Sequence, residues 1–171
     1  MKVKYRILFF CLFCFAFIGC DRATKNLAKL HLMDKEPLTF LHNTIRLEYV
    51  ENTGAFLSFG AEWSRTTSFW LLSVFPLFFL ITLFIYAINK SRQISFLQML
   101  PFALVFSGGI GNIIDRIIFD RHVVDFMNLG VNNLRTGIFN FADVYVVTGV
   151  TLLLLARYKR SARQEITDTN V

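Results

Sequence analysis

Residues Phe69–Ile88 form a run of twenty amino acids without one charged side chain. At 1.5 Å of rise per residue, a helix of about 20 apolar residues crosses a hydrocarbon layer of about 30 Å. A soluble fold has little room to hide such a run, and the composition points the same way. Apolar residues make up 54% of the 171, twenty residues are Phe, and only 18% are charged. Soluble domains carry about 25% charged residues. A chain this short buries too little surface to conceal that much apolar area in a soluble core. Disorder, coiled coil and collagen are excluded, and an ordinary soluble enzyme is disfavoured. A mostly α, polytopic membrane protein is expected, as a single membrane domain over residues 1–171.

Three further apolar stretches, Ile7–Cys20, Phe96–Ile114 and Val144–Ala156, are too short to cross alone. Extended to crossing length, the four transmembrane helices fall at about 6–25, 69–88, 96–116 and 138–157. Each extension draws polar residues into a span.

The net charge of +6 is distributed in a way that argues against a nucleic-acid partner. Nine basic residues sit in three places: Lys2, Lys4 and Arg6; Lys90 and Arg92; and Arg157, Lys159, Arg160 and Arg163. Only Glu165 and Asp168 oppose them there. The excess of Lys and Arg on cytoplasmic loops then places both termini and the link at 90–92 inside. Two segments face outward, a long one over about 22–68 and a short one over about 119–138.

In the long segment Thr44–Val50 alternates polar and apolar residues, which predicts a strand. Asn52-Thr53-Gly54-Ala55 is turn chemistry, and Phe56–Gly60 reads as a second strand. A small extracytoplasmic β-sheet or hairpin is therefore expected over about 38–60. Trp63, Phe69 and Trp70 fit an interfacial anchor.

Cys11, Cys14 and Cys20 cluster in one apolar stretch with no ligands nearby to complete a zinc site, and their odd number implies no disulfide framework. His31, His42 and His122 are scattered. Neither a metal nor a cofactor is expected.

The ionisable residues at the ends of the spans carry the chemistry. Asp21 and Lys25 are four apart on one helix face and can pair. Gly108, Asn112, Asp115 and Arg116 share a face of the third span. Asp143 lies about 14 residues, or about 21 Å, from the cytoplasmic end of the last span, and Asn140 shares its face. Asp125 falls in an outward loop, inside the apolar run His122–Met127, which brings it back towards the bilayer and the depth of Asp143. Asp21, Lys25, Asp115 and Arg116 can also be read as helix glue. Asp125 and Asp143 have no adjacent basic partner, and charge at membrane depth marks function. Two carboxylates brought together in low dielectric cannot both ionise, so one acts as acid and the other as base. The run Gly108-Gly109-Ile110-Gly111 reads as a close helix-packing surface.

Five blocks, in order, resemble a known family. They are Asp21-Arg22-Ala23-Thr24-Lys25, Glu51-Asn52-Thr53-Gly54-Ala55, Gly111-Asn112-Ile113-Ile114-Asp115-Arg116, Val123-Val124-Asp125-Phe126 and Phe139-Asn140-Phe141-Ala142-Asp143. The chain resembles the lipoprotein signal peptidases (signal peptidase II). The resemblance implies an aspartic endopeptidase of the bacterial inner membrane that cleaves lipid-modified prolipoproteins just before the diacylglyceryl-cysteine. It implies Asp125 and Asp143 as the catalytic pair. It also implies Asp21, Lys25, Asn52, Gly54, Asn112, Arg116, Asn140 and Ala142 as substrate-binding or supporting residues. The outward strands would form a cradle beside the substrate, with the active site near the outer leaflet. The expected partners are prolipoproteins and membrane lipids, and a monomer is expected. Two positions depart from the family's usual pattern: Phe56 directly follows Ala55, and Val144 follows Asp143 where Ser is common. Two other readings remain open at this point. The segment ending in Phe17-Ile18-Gly19-Cys20 resembles a lipoprotein signal with its own acylated Cys, and the carboxylates could instead serve a small non-enzymatic transporter or scaffold.

Overall fold

A computed structural model describes residues 2–55 and 58–169, with side chains described as far as residue 159. Four helices among them are long and apolar enough to cross a membrane: α1 (Val3–Leu32), α2 (Arg65–Lys90), α3 (Phe96–Ile118) and α4 (Phe141–Thr169). Half of the most apolar stretch of α3 is buried, against 11–17% in the other three. α3 is thus the central post, and the others surround it. Their outer faces carry large apolar side chains such as Phe15, Phe78 and Leu154. Apolar faces this extensive are stable against lipid and not against water.

Local chemistry sets the helix ends. Ser95 caps α3 through a reciprocal box: the Gln98 amide donates to Ser95 Oγ at 3.3 Å, and the Ser95 amide donates to Gln98 Oε1 at 2.7 Å. In α2 the turn Trp70–Val74 is π-wound just before Pro76. Pro has no N–H to give to the preceding turn, which loosens the ladder there. α3 and α4 touch at Gly108, where a Cβ would collide with the Ala142 carbonyl and the Val146 side chain. The glycine run is the packing surface its composition predicts.

The two ends of the bundle differ. At one, Arg6 Nη1 donates to the carbonyls of Ser91 and Ile94 at 3.1 and 2.7 Å, tying the start of α1 to the α2–α3 link. At the other lies an antiparallel sheet of four strands in sequence order: β1 (Leu38–Phe40), β2 (Ile45–Asn52), β3 (Val123–Val131) and β4 (Leu134–Arg135). β2 pairs along β3 from Ile45↔Leu129 to Asn52↔Val123, with a register shift between Leu47 and Val50. Leu47, Tyr49, Val124 and Phe126 pack on Ala28 and Leu32 of α1. Alternation along the strand therefore turns Asp125 to the opposite face.

Two expectations are corrected here. The second strand expected over Phe56–Gly60 is not formed at Ser58–Gly60, which are turn residues; Phe56 and Leu57 lie outside the described residues. Ser58 and Gly60 have φ of +59° and +80°, which extended strands do not accept. The Ala55 amide donates to the Phe59 carbonyl at 2.7 Å, closing a loop instead of a ladder. β2 takes its neighbours from β1 and β3. Asp125, expected in a loop, lies within β3. Residues 138–140 precede α4 and remain outside it, with Phe139 bridged to Met127.

Candidate active site

Asp143 is placed by the first turn of α4. The Asp143 amide donates to Asn140 Oδ1 at 3.0 Å, and the Asn140 amide donates to Asp143 Oδ2 at 3.1 Å. This is a capping box with Asn and Asp in its two places. The remaining oxygen, Oδ1, accepts from Asn112 Nδ2 of α3 at 2.8 Å.

Asp125 reaches the same place from β3. Its Oδ1 accepts from Asn140 Nδ2 at 2.6 Å, and its Oδ2 accepts from Asn52 Nδ2 of β2 at 3.0 Å. Asn140, fully buried, therefore contacts both carboxylates. Burial, and next the charge of Asp143, push the Asp125 carboxyl up to about 6, against the pull of the Asn52 and Asn140 amides.

Behind the pair lies a knot of ion pairs. Lys25 Nζ contacts Asp21 Oδ2 and Asp115 Oδ2, each at 2.8 Å, and donates to Asn112 Oδ1 at 3.0 Å. The ammonium thus lies between two carboxylates and one amide oxygen. Arg22 holds the other oxygen of Asp115. Asp21 Oδ1 accepts the Ala142 amide at 3.0 Å, joining α1 to the first turn of α4. Its other oxygen lies where a side chain at Gly111 would stand, 2.7 Å from the position of a Cβ.

Arg116 does not pair with its neighbour Asp115. Its Nη2 donates to the Gly54 carbonyl at 2.7 Å and its Nη1 to the Asn112 carbonyl at 3.3 Å. The Gly54 amide in turn donates to Asn52 Oδ1 at 2.9 Å, so the loop after β2 is fastened at two points. All ten residues singled out from the sequence, Asp21, Lys25, Asn52, Gly54, Asn112, Arg116, Asp125, Asn140, Ala142 and Asp143, lie in one hydrogen-bonded network.

Two arginines were given no part by the sequence. Arg22 neutralises Asp115; its signal was its place beside Asp21, opposite an acid that needed a cation. Arg121 donates to Ser68 Oγ at 2.9 Å and to the Trp63 carbonyl at 3.3 Å, pinning the loop that enters α2. Trp63 packs edge-on against Phe59, whereas Phe69 and Trp70 remain half exposed, as an anchor requires.

Both carboxylates line a cavity of about 380 Å³, whose other walls include Leu72, Pro76, Ile113, Val146 and Val147. An apolar cleft with a few convergent polar groups is suited to an apolar ligand that presents one reactive polar group. Among the described residues, no three His, Cys, Asp or Glu side chains are grouped to hold a metal ion.

Fold and site together define a multi-pass membrane protein with a buried cluster of carboxylates. The architecture is similar to two solved bacterial membrane enzymes, with TM-scores of 0.77 and 0.70 at 24% and 25% identity. They cover 90% and 86% of this chain, and it covers 90% of each of them. The model of the signal peptidase (SPase) II family matches residues 13–159, and the chain belongs to that family of peptidases. A lipoprotein signal peptidase of Borrelia hermsii is 32% identical over 96% of this chain and 97% of its own length. One of Chlorobium phaeobacteroides is 37% identical over 81% and 83%.

Proposed function

We propose that this chain is an aspartic endopeptidase that removes the signal peptide of diacylglyceryl-modified prolipoproteins, cutting just before the lipid-bearing cysteine. The observation that carries the reading is the pair Asp125 and Asp143, held by neutral amides at the mouth of an apolar cavity. The ionised member takes a proton from a water molecule. The hydroxide attacks the scissile carbonyl carbon while the protonated member donates to its oxygen. Collapse of the tetrahedral intermediate expels the cysteine nitrogen, which takes the proton that the first carboxyl removed from water, while the second carboxylate recovers its proton from the oxygen. Asp125, whose carboxyl is pushed up to about 6, suits the proton-bearing role. An apolar signal helix entering the cavity excludes further water and strengthens that preference.

The arrangement of charge supports an orientation as well. The end marked by Arg6 and the 90–95 link is the basic end, and the carboxylates lie at the sheet end. With the basic end in the cytoplasm, both termini are inside and the site faces the outer leaflet, where a lipidated cysteine lies. One chain supplies every group in the network, which supports a monomeric enzyme.

The test is cleavage of a lipid-modified prolipoprotein by the purified protein in detergent, read by mass spectrometry of both products. A mature product beginning at the lipidated cysteine is expected. Cutting at another bond, or equal cutting of the unlipidated precursor, overturns the reading.

A further inference from the structure

A second cavity, of about 450 Å³, opens on the sheet face that carries Asp125. It shares Asn52, Asp125 and Ile138 with the apolar cavity, so the two are neighbouring limbs that meet at Asp125. Arg46, Glu48, Asn128, Arg135 and Thr136 make this second limb the more polar of the two. Arg46 and Arg135 converge there on two neutral amides. Arg135 Nε donates to Asn128 Oδ1 and its Nη1 to the Asn43 carbonyl at 2.8 Å, while Arg46 Nη2 donates to Asn43 Oδ1 at 3.4 Å. Arg46 is also the strand partner of Asn128. Its Nε is buried without a hydrogen-bond partner. Among the described residues, neither guanidinium has a carboxylate within ion-pair distance. Glu48 lines the same limb, between Arg46 and Val50 on the strand, and pairs with neither.

Two like charges held together by amides repel, and an anion between them relieves that repulsion while taking the unused N–H. We propose that Arg46 and Arg135 form a subsite for an acidic side chain on the mature side of the cleaved bond. The inference rests on the peptidase reading above. A peptide threaded from the apolar limb past the carboxylates has its mature side in this polar limb. The register gives the position. Asp125 faces Val50 and Asn128 faces Arg46, an offset of three to four strand residues. At about 3.3 Å each, the offset is about 10–13 Å, the span of three to four extended substrate residues. Counting the lipid-bearing cysteine as the first, the acid belongs at the third or fourth residue. Glu48 stands before the arginines, so an acid at the second residue meets a like charge.

The test uses synthetic lipid-modified prolipoprotein substrates with Asp or Lys at the second, third or fourth residue. They are cleaved by the full chain in uncharged detergent at low salt. At the third or fourth residue kcat/KM for Asp is expected to exceed that for Lys by about 5–20-fold, shrinking as salt rises. The ratio falls to near one in R46Q/R135Q and inverts in R135E. Each ratio compares two substrates on one protein, so a partly misfolded variant cancels out. A wild-type ratio near one, or a ratio that R46Q/R135Q retains, overturns the subsite. So does a rate that follows anionic lipid added to the micelles and ignores substrate charge, because the arginines then hold a headgroup phosphate. If the wild-type protein cuts none of these substrates before the lipidated cysteine, the peptidase reading itself fails.

Discussion

At the same end of the bundle, Asp21 and Asp115 are held by Lys25 and Arg22, whereas Asp125 and Asp143 are held by Asn52, Asn112 and Asn140. All four acids are removed from bulk water to some degree, and three are nearly or fully buried. Their partners separate them. A cation neutralises the charge of its acid, and a balanced group of two acids and two bases is inert glue. An amide N–H favours the ionised form less than a cation does, so burial still pushes the Asp125 carboxyl up. On the mechanism proposed above, what makes one pair structural and the other reactive is the charge of the partners. The two clusters meet at Asn112, whose Oδ1 accepts from Lys25 and whose Nδ2 therefore faces Asp143.

The contrast breaks first at the reactive pair. Asp125→Asn or Asp143→Asn lowers the cleavage rate by about 1,000-fold or more, while gel filtration in detergent shows a folded protein. A variant that keeps a tenth of the rate removes the two-carboxylate mechanism. Next comes the inert cluster. Lys25→Met leaves two buried acids with Arg22 alone and costs about 3–5 kcal/mol in thermal or denaturant unfolding. A loss under about 1 kcal/mol would mean the cluster is not glue.

The pH dependence of stability sharpens the comparison further. Because the folded Asp125 carboxyl is pushed up to about 6, the native chain binds its proton more tightly than the unfolded chain does. Ionised Asp125 therefore costs stability above pH of about 6, and the cost fades as pH falls towards 4. Asp125→Asn stabilises the protein by at most about 2–3 kcal/mol at pH 8 and by nothing near pH 4. An unchanged difference across that range would place Asp125 among the locked acids. The smallest effect belongs to a pair in neither cluster. Arg65 and Asp120 lie 2.6 Å apart but are mostly exposed. Arg65→Ala changes stability by less than about 1 kcal/mol, and high salt erases even that.

The four spans were legible because apolar length is a local property of the chain. So was the burial of Asp125, since an apolar run leaves a carboxylate within it nowhere wet to go. Its strand was not legible. The partner of Val123–Val131 lies some 70 residues upstream in β2, and alternation within a segment does not say which distant segment completes the ladder. Phe56–Gly60 misled for the opposite reason. Its apolar pattern suits a strand, but the left-handed backbone at Ser58 and the closure from Ala55 to Phe59 depend on contacts no local pattern records. At the site, the residue types were readable and the bonding partners were not. Asp115 beside Arg116 suggests a pair, yet Arg116 reaches Gly54 and leaves Asp115 to α1.

The bond from the Ala142 amide to Asp21 links the first helix of the chain to the last. It bears on the order of assembly. During synthesis α1 is made first, and its Asp21 and Lys25 wait through three more helices. Only when the start of α4 arrives does Asp21 gain its amide, and the same turn delivers Asn140 and Asp143. A nascent chain stalled before α4 thus lacks Asn140 and Asp143. On the two-carboxylate mechanism proposed above, such a copy cannot cut.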